Sequence, residues 1–408
     1  MDKISDISDI RRHFPALEQK VNGKDLVYLD NGATSHKPQS VIDLINEMNS
    51  RTNGNIHRAV HELSARTTAL YEGARDDVKR FINARYREEI IFTSGTTASV
   101  NLVANSFCAS YLREGDSVLI SESEHHSNIV PWQMACERYG ATLKVLPVDN
   151  DGNWRMELLD EMLTPNVKIV AVAHISNVLG IINPVEELIS CCHKKGVPVF
   201  IDGAQGIVHS SVDVSALDCD FYAFSGHKLY AATGTGVLYG KKDILEAIQP
   251  WMGGGDMVST VTFEKTTYAQ LPLKFEAGTP NFIGAASLGE AIRFIESTDH
   301  SSIMESERKI VDFMRDQLNR IDGLKLYGNV DNKIPLFSLT INGAHPSDIA
   351  MIMDKMGIAL RSGQMCSEPL MRRFNTESML RASFAMYNTL DEAKYFIESL
   401  KRAIKMLV

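Results

Sequence analysis

An acid, a hydroxyl, an imidazole and a lysine lie close together between Val197 and Gly236: Asp202, then Ser225, His227 and Lys228 in the run Ser225-Gly226-His227-Lys228. Such a set suits an aldehyde cofactor with a pyridine ring and a phosphate. The lysine can form a Schiff base with the aldehyde, the acid can keep the ring nitrogen protonated, and the hydroxyl and imidazole can hydrogen-bond the phosphate. Pyridoxal 5′-phosphate (PLP) has these three features. A carboxylate about 4 Å from a pyridinium contributes on the order of 4 kcal/mol at an effective dielectric near 20. That raises the ring pKa by roughly three units and keeps the ring charged at neutral pH. The pair alone is not decisive, because strands ending in Asp and solvated loop lysines occur in α/β proteins of many functions.

Further residues point the same way. Ser94-Gly95-Thr96-Thr97 runs directly into a helix, where free N–H groups with the Thr96 and Thr97 hydroxyls can receive an anion. Plain N-capping by threonine accounts for them equally well. His125 and Asn177 each follow an apolar run. His125 is placed to stack on a cofactor ring and exchange protons, although a lone histidine is more often a structural hydrogen-bonder. Arg361 and Arg381 fall at or in strand-like runs, and two arginines so placed suit bidentate capture of a substrate carboxylate. Cys366 comes five residues after Arg361, in a loop closed by Pro369. Five residues span at most about 17 Å, so the loop can fold back and bring the thiol to a substrate held by Arg361. The cysteines at 108, 136, 191, 192 and 219 sit in apolar or helix-like surroundings and read as core fillers.

The elements that must position these groups follow from periodicity. The runs Val197–Ile201 and Phe221–Phe224 read as short buried strands, leading into Asp202 and Ser225. Before them, strands are expected at 89–93, 117–121, 143–148 and 168–175, with helices at 98–110, 130–139 and 185–195. Helices are also expected from Pro38 and over 63–82, and residues 1–24 read as a short amphipathic helix halted at Pro15. The β–α alternation predicts a mostly parallel sheet flanked by helices, with ligands at the carboxyl ends of its strands. Residues 256–273 show no helical period, and Phe275–Asn281 is turn-rich. From Ile283 the character changes to long amphipathic helices, 283–297 and 303–321, then short strands at 324–327 and 336–341 and a helix at 347–356. The expected organisation is an N-terminal segment, 1–24, packing with the small domain, a large cofactor-binding domain, 25–286, and a smaller α+β domain, 287–408, carrying the Cys366 loop.

With 408 residues the chain can form two domains and a large core. A net charge of −9 argues against nucleic acid and anionic membranes as partners. No apolar run reaches membrane-spanning length, and the first residues lack the apolar core of a signal peptide. Six scattered cysteines without a C-x-x-C pair fit free thiols in a reducing cytoplasm better than disulfides or a zinc site, so no metal is expected.

Taken together, YLDNGATS, SNVLG, IDGAQ, FSGHKLY, FEAGTPN, RASFAMYN and R-x-G-x-x-C resemble the PLP-dependent cysteine desulfurases of fold type I, in the sulfur-mobilisation (Suf) group. The resemblance covers almost the whole chain. It implies a PLP-dependent transferase fold in which Lys228 carries the cofactor, His125 stacks on the ring above Asp202, and Gln205 contacts its phenolic oxygen. Thr97, Ser225 and His227 are implied to bind the phosphate. Asn177, Arg361 and Arg381 are implied to position L-cysteine, and Cys366 to accept its sulfur as a persulfide while L-alanine leaves. L-selenocysteine is implied as an alternative substrate, and a Suf-system sulfur-acceptor protein, serving iron–sulfur cluster assembly, as the partner. Family members are homodimers, in which the loop holding Thr279 completes the neighbour's phosphate site. NIHRAVHELS matches the family's active-site entrance, with His57 and Arg58 as candidate contributors.

Three departures stand out. Ala231-Ala232 replace the usual Gly-Pro after the lysine motif, Ala98 stands where an acid often follows the threonine pair, and Gln364-Met365 precede Cys366 where a histidine is common. They bear on turn rigidity, interface and thiol tuning, and none removes a group the chemistry requires. Two rivals remain open: an aminotransferase of the same fold, and a non-catalytic sulfur-relay or assembly scaffold. Lys228 with Asp202 speaks against the scaffold, and Cys366 in its loop against the aminotransferase.

Overall fold

Seven short strands form the central sheet of the computed structural model, which describes residues 3–58 and 60–408. They are β1 (Ile90–Thr93), β2 (Ser117–Ser121), β3 (Thr142–Leu146), β4 (Val167–Ala173), β5 (Val199–Asp202), β6 (Phe221–Ser225) and β7 (Gly236–Gly240). Their order is β1-β7-β6-β5-β4-β2-β3. Only β7 runs against the rest, pairing antiparallel with both β1 and β6. Every residue of β2, β5, β6 and β7 is buried, as expected of a sheet covered on both faces. β3, at the sheet edge, buries only Leu146. Because β1, β2, β4, β5 and β6 are parallel, the segments holding Thr96, His125, Asn177, Asp202 and Lys228 all emerge at one edge.

The helix Phe282–Ser297 packs on Glu62–Phe81 and Gln39–Ser50. Its Leu288, Ala291 and Ile292 join the main core on that side of the sheet. Residue 287, expected to begin the small domain, thus lies inside a helix whose apolar face belongs to the large one. The small core takes Ile310, Met314 and Leu318 from the next helix, His300–Leu318, and Val27 and Leu29 from the early part of the chain. A four-stranded antiparallel sheet lies beneath it: β10 (Leu324–Tyr327), β11 (Leu336–Ile341), β12 (Arg361–Gly363) and β13 (Met379–Ser383), in the order β10-β11-β13-β12. Between the two sheets in sequence, β8 (Val258–Val261) and β9 (Thr266–Tyr268) pair as a hairpin. This hairpin occupies the stretch without helical period. It also lacks strand alternation, because most of its residues are exposed.

The N-terminal segment is a short helix, Ile7–Arg12, followed by a 3-10 turn that begins at Pro15. It touches both units. Phe14 packs on Tyr230 and Phe294 of the large unit and on Tyr387, with ring centroids 5.7, 5.5 and 4.6 Å apart. Arg11 pairs with Glu392 at 2.8 Å, at the start of the final helix, Leu390–Leu407. Among the described residues no helix is long and apolar enough to cross a membrane.

Candidate active site

A cavity of about 250 Å³ opens at the carboxyl edge of the large sheet, between it and the Cys366 loop. Asp202 ends β5 and Lys228 closes the turn after β6, and both line the cavity. Burial pushes the Lys228 amine down to about 8, with Asp202 acting against that shift and the Arg381 and Arg361 guanidiniums reinforcing it. Burial likewise raises the Asp202 carboxyl, opposed by the Ala204 N–H at 3.0 Å and by the Lys228 charge. The lysine turn is braced from YLDNGATS. Ser35 donates through N–H to His227 O (3.0 Å) and through Oγ to Lys228 O (2.9 Å). Ala231 closes the same turn by donating to Gly226 O at 3.0 Å, and the Ala232 N–H reaches Ser287 Oγ at 3.1 Å. The Ala-Ala departure therefore leaves a fastened turn.

One end of the cavity is built for an anion. The 16-residue helix Thr96–Tyr111 begins there, preceded by Gly95 at φ +142°. A side chain at Gly95 would approach Ser225 Oγ to 3.2 Å. Ser225 Oγ accepts from the Thr96 N–H at 2.8 Å and lies 2.8 Å from the Thr96 hydroxyl. Thr97 Oγ1 meets Ser127 Oγ at 2.7 Å. His227 lines the same cavity, and its imidazole is held neutral at about 4 by burial and then by Lys228.

His125 comes from the loop after β2. Its Nδ1 accepts from the Ser127 N–H at 3.0 Å, and burial with the Lys228 charge pushes it down to about 3. Glu124, fully buried beside it, escaped sequence reasoning. It accepts from the Ala173 N–H at 3.0 Å and from Asn128 Nδ2 at 2.7 Å, which ties the His125 loop to the end of β4. Burial raises its carboxyl to about 8. Gln205 also lines the cavity and donates to Gly32 O at 2.9 Å.

Across the cavity, Arg361 on β12 stands directly opposite Arg381 on β13. Arg381 is buried. Its Nη1 donates to Asn177 O (2.8 Å) and its Nη2 to Asp30 Oδ1 (3.1 Å), while its Nε has no protein partner among the described residues. Gly32 lets the backbone pass close to Arg381, since a Cβ there would sit 3.1 Å from the guanidinium carbon and press it aside. Arg361 is more open, 3.8 Å from Asp30 Oδ2. Cys366 lines the cavity and is the exposed cysteine of the six; 108, 136, 192 and 219 are buried and 191 is half-buried. Met365 and Cys366 both hold positive φ, +53° and +55°. Each costs roughly 1–2 kcal/mol for a residue with a Cβ, so outside contacts must impose the bend.

Twelve of the expected residues meet in this cavity: Thr96, Thr97, His125, Asn177, Asp202, Gln205, Ser225, His227, Lys228, Arg361, Cys366 and Arg381. Three do not. His57 is bound to Glu72 at 3.0 Å, Arg58 to Asp256 at 2.6 Å, and Thr279 is exposed, none lining the cavity of its own chain.

The donor set fits PLP. A buried acid and a depressed amine lie at the strand ends, a neutral imidazole lies beside them, and a helix N-terminus with three hydroxyls can take a dianion. Asp202 and His125 would hold the ring, Thr96, Thr97, Ser225 and His227 the phosphate, and Lys228 the aldehyde carbon.

Over residues 27–396 the chain matches the family described as Aminotransferase class-V. A probable cysteine desulfurase of Vibrio cholerae is 46% identical over 398 residues, covering 98% of each chain. Two solved structures are also similar over nearly the full length. The cysteine desulfurase CsdA of Escherichia coli, carrying an S-sulfonic acid, has a TM-score of 0.92 at 38% identity, covering 99% of each chain. The apo cysteine desulfurase of Thermococcus onnurineus has a TM-score of 0.94 at 34% identity, covering 100% of each.

Proposed function

The chain belongs to the class-V aminotransferase family, and on that footing we propose that it is a PLP-dependent cysteine desulfurase. The reaction converts L-cysteine to L-alanine and leaves the sulfur on Cys366 as a persulfide. The observation that carries this reading is the place of Cys366: an exposed thiol on the rim of the cavity that also holds Lys228 and Arg381.

Bound in the cavity, PLP supplies an electron sink for charge developing at the substrate Cα. Asp202 keeps the proton on the ring nitrogen. Arg381 and Arg361 bind the substrate carboxylate, Arg381 with the Nε that has no partner among the described residues. The Lys228 amine, neutral to a useful extent because burial lowers it to about 8, moves the Cα proton. Cys366 Sγ attacks the substrate sulfur, so that an S–S bond forms as the substrate C–S bond breaks. The departing carbon takes a proton and leaves within alanine. Cysteine and enzyme thiol thus give alanine and enzyme persulfide, with no external oxidant.

L-selenocysteine fits the same site as an alternative substrate. A sulfur-acceptor protein of the Suf type, supplying iron–sulfur cluster assembly, would collect the persulfide. Six unpaired cysteines support a reducing, cytoplasmic setting. The active form is proposed to be a homodimer. Thr279, His57 and Arg58 lie outside the chain's own cavity, and exposed apolar groups such as Val60, Val261 and Phe263 are available to a second copy. The test is incubation of the PLP-loaded protein with L-cysteine and a reductant. Alanine and sulfide are expected in equal amounts without any 2-oxo acid. Amino transfer to a 2-oxo acid without sulfide would establish the aminotransferase instead.

A further inference from the structure

His126 follows the candidate ring-stacking histidine but does not line the cavity. It grips the thiol loop from outside, through two bonds. Its backbone N–H donates to the Cys366 carbonyl at 2.7 Å, and its ring Nε2 accepts from the Glu368 N–H at 3.0 Å. The two contacts fall on either side of the buried Ser367. The bend they hold is one that residues with a Cβ avoid, with φ of +53° at Met365 and +55° at Cys366. The Glu368 amide also opens the short helix Glu368–Arg373, so it has no acceptor within that helix. On the far side of the bend, Asn177 Nδ2 holds the Met365 carbonyl at 2.9 Å. The loop is therefore suspended between Asn177 and His126, and the thiol hangs between them.

We infer that His126 is a positioning residue for the Cys366 thiol, holding the loop through the unprotonated Nε2 that accepts from Glu368. The ring proton then sits on Nδ1. The inference rests on the reading of Cys366 as sulfur acceptor, and it adds a residue that never touches the substrate.

Two variants of the PLP-loaded protein separate positioning from simple support. His126→Phe keeps a ring and loses the acceptor, whereas His126→Gln supplies an acceptor through its amide oxygen. Amide hydrogen exchange over residues 364–370 is read by mass spectrometry, alongside kcat and KM for L-cysteine. His126→Phe is expected to exchange about tenfold faster in that segment, with unchanged exchange over 199–205. Its kcat should fall by about the same factor, while KM stays within about twofold. His126→Gln should return both quantities to within about threefold of wild type. Unchanged loop exchange in His126→Phe overturns the inference. So does a Gln variant as fast in exchange as the Phe variant, with cofactor retained in both. Should His126→Phe not fold, His126→Asn, too short to reach Glu368, replaces it under the same criteria. If wild type makes no alanine from L-cysteine, the desulfurase reading fails, yet the exchange data still decide whether His126 holds the loop.

Discussion

Asn177 donates from its side-chain amide to the Met365 carbonyl at 2.9 Å, and its own backbone carbonyl accepts from Arg381 at 2.8 Å. A single residue in the loop that follows β4 therefore touches both the thiol loop and the arginine proposed to bind the substrate carboxylate. The family resemblance implies that Asn177 positions the substrate; it lines the cavity, and its side-chain amide also ties down the loop. Asn177→Ala removes the loop tie and leaves the backbone bond to Arg381. A hydrogen bond of about 1 kcal/mol corresponds to roughly a fivefold loss, so kcat for alanine formation should fall about that much with KM nearly unchanged. A rise in KM at constant kcat would return Asn177 to the substrate.

Lys228 carries the second prediction. Its amine is pushed down to about 8, well below the ordinary lysine value near 10.4, because burial disfavours its charge. Between these two pH values the folded chain binds fewer protons at this site than the unfolded chain. This group's destabilising contribution is thus fully present below about 8 and is relieved as pH rises toward the unfolded value. In the apoprotein, acetylation of Lys228 by dilute acetic anhydride, followed on its peptide, should rise with pH to a midpoint near 8. A midpoint above 10 would show an amine with no special reactivity.

The main features of this site were legible because strand-end residues in a parallel sheet converge whatever the loops do. Asp202, Ser225 and Lys228 needed only the two buried runs before them, and Thr96 only its place at a helix start. Other features left no local mark. Glu124 and His126 act on Ala173 and Glu368, whose backbone amides lie 49 and 242 residues away, and backbone partners have no residue type to read. The hairpin β8–β9 was missed because its exposed faces impose no alternation. The helix Phe282–Ser297 is amphipathic on its own, and only its packing on Glu62–Phe81 shows which core it joins. His57, Arg58 and Thr279 were motif matches that one chain does not bring to the cavity.

A buried ion pair lies three residues before Thr279. Glu276 receives Arg75 Nη1 and Nη2 at 2.7 and 2.9 Å, the Tyr71 hydroxyl at 2.8 Å and the Phe92 N–H at 2.7 Å. Both charged side chains are almost wholly buried. Glu276→Ala removes the buried partner of Arg75, leaving it only the half-buried Glu72 at 3.2 Å and the Ile90 carbonyl at 2.7 Å, and takes the carboxylate acceptor from two more donors. A loss of about 3–5 kcal/mol in unfolding free energy is expected, read from the urea midpoint of the apoprotein at fixed concentration. A change below about 1 kcal/mol would mean that water reaches Arg75 and replaces the carboxylate.

Cys366 separates desulfurase from aminotransferase. Amino transfer needs the lysine, the acid and the arginines, but no nucleophile beside the substrate side chain. Desulfuration needs a thiolate that can reach the substrate sulfur. Cys366 is the exposed cysteine of the six and lines the cavity, so its sulfur is open to an incoming substrate. Burial pushes the Cys108 and Cys192 thiols up to about 12, and Cys136 and Cys219 are raised by the same cause, which disfavours the thiolate at those four sites. Removing the nucleophile closes a pathway rather than weakening a contact, so the loss should be several orders of magnitude. Cys366→Ser should still bind PLP, and its cofactor absorbance should still respond to L-cysteine. It should give no protein persulfide by mass spectrometry and no alanine beyond background. Replacing any one of the other five cysteines should leave turnover within about threefold, provided the protein folds. Release of alanine and sulfide by Cys366→Ser at close to the wild-type rate would rule out Cys366 as the sulfur acceptor.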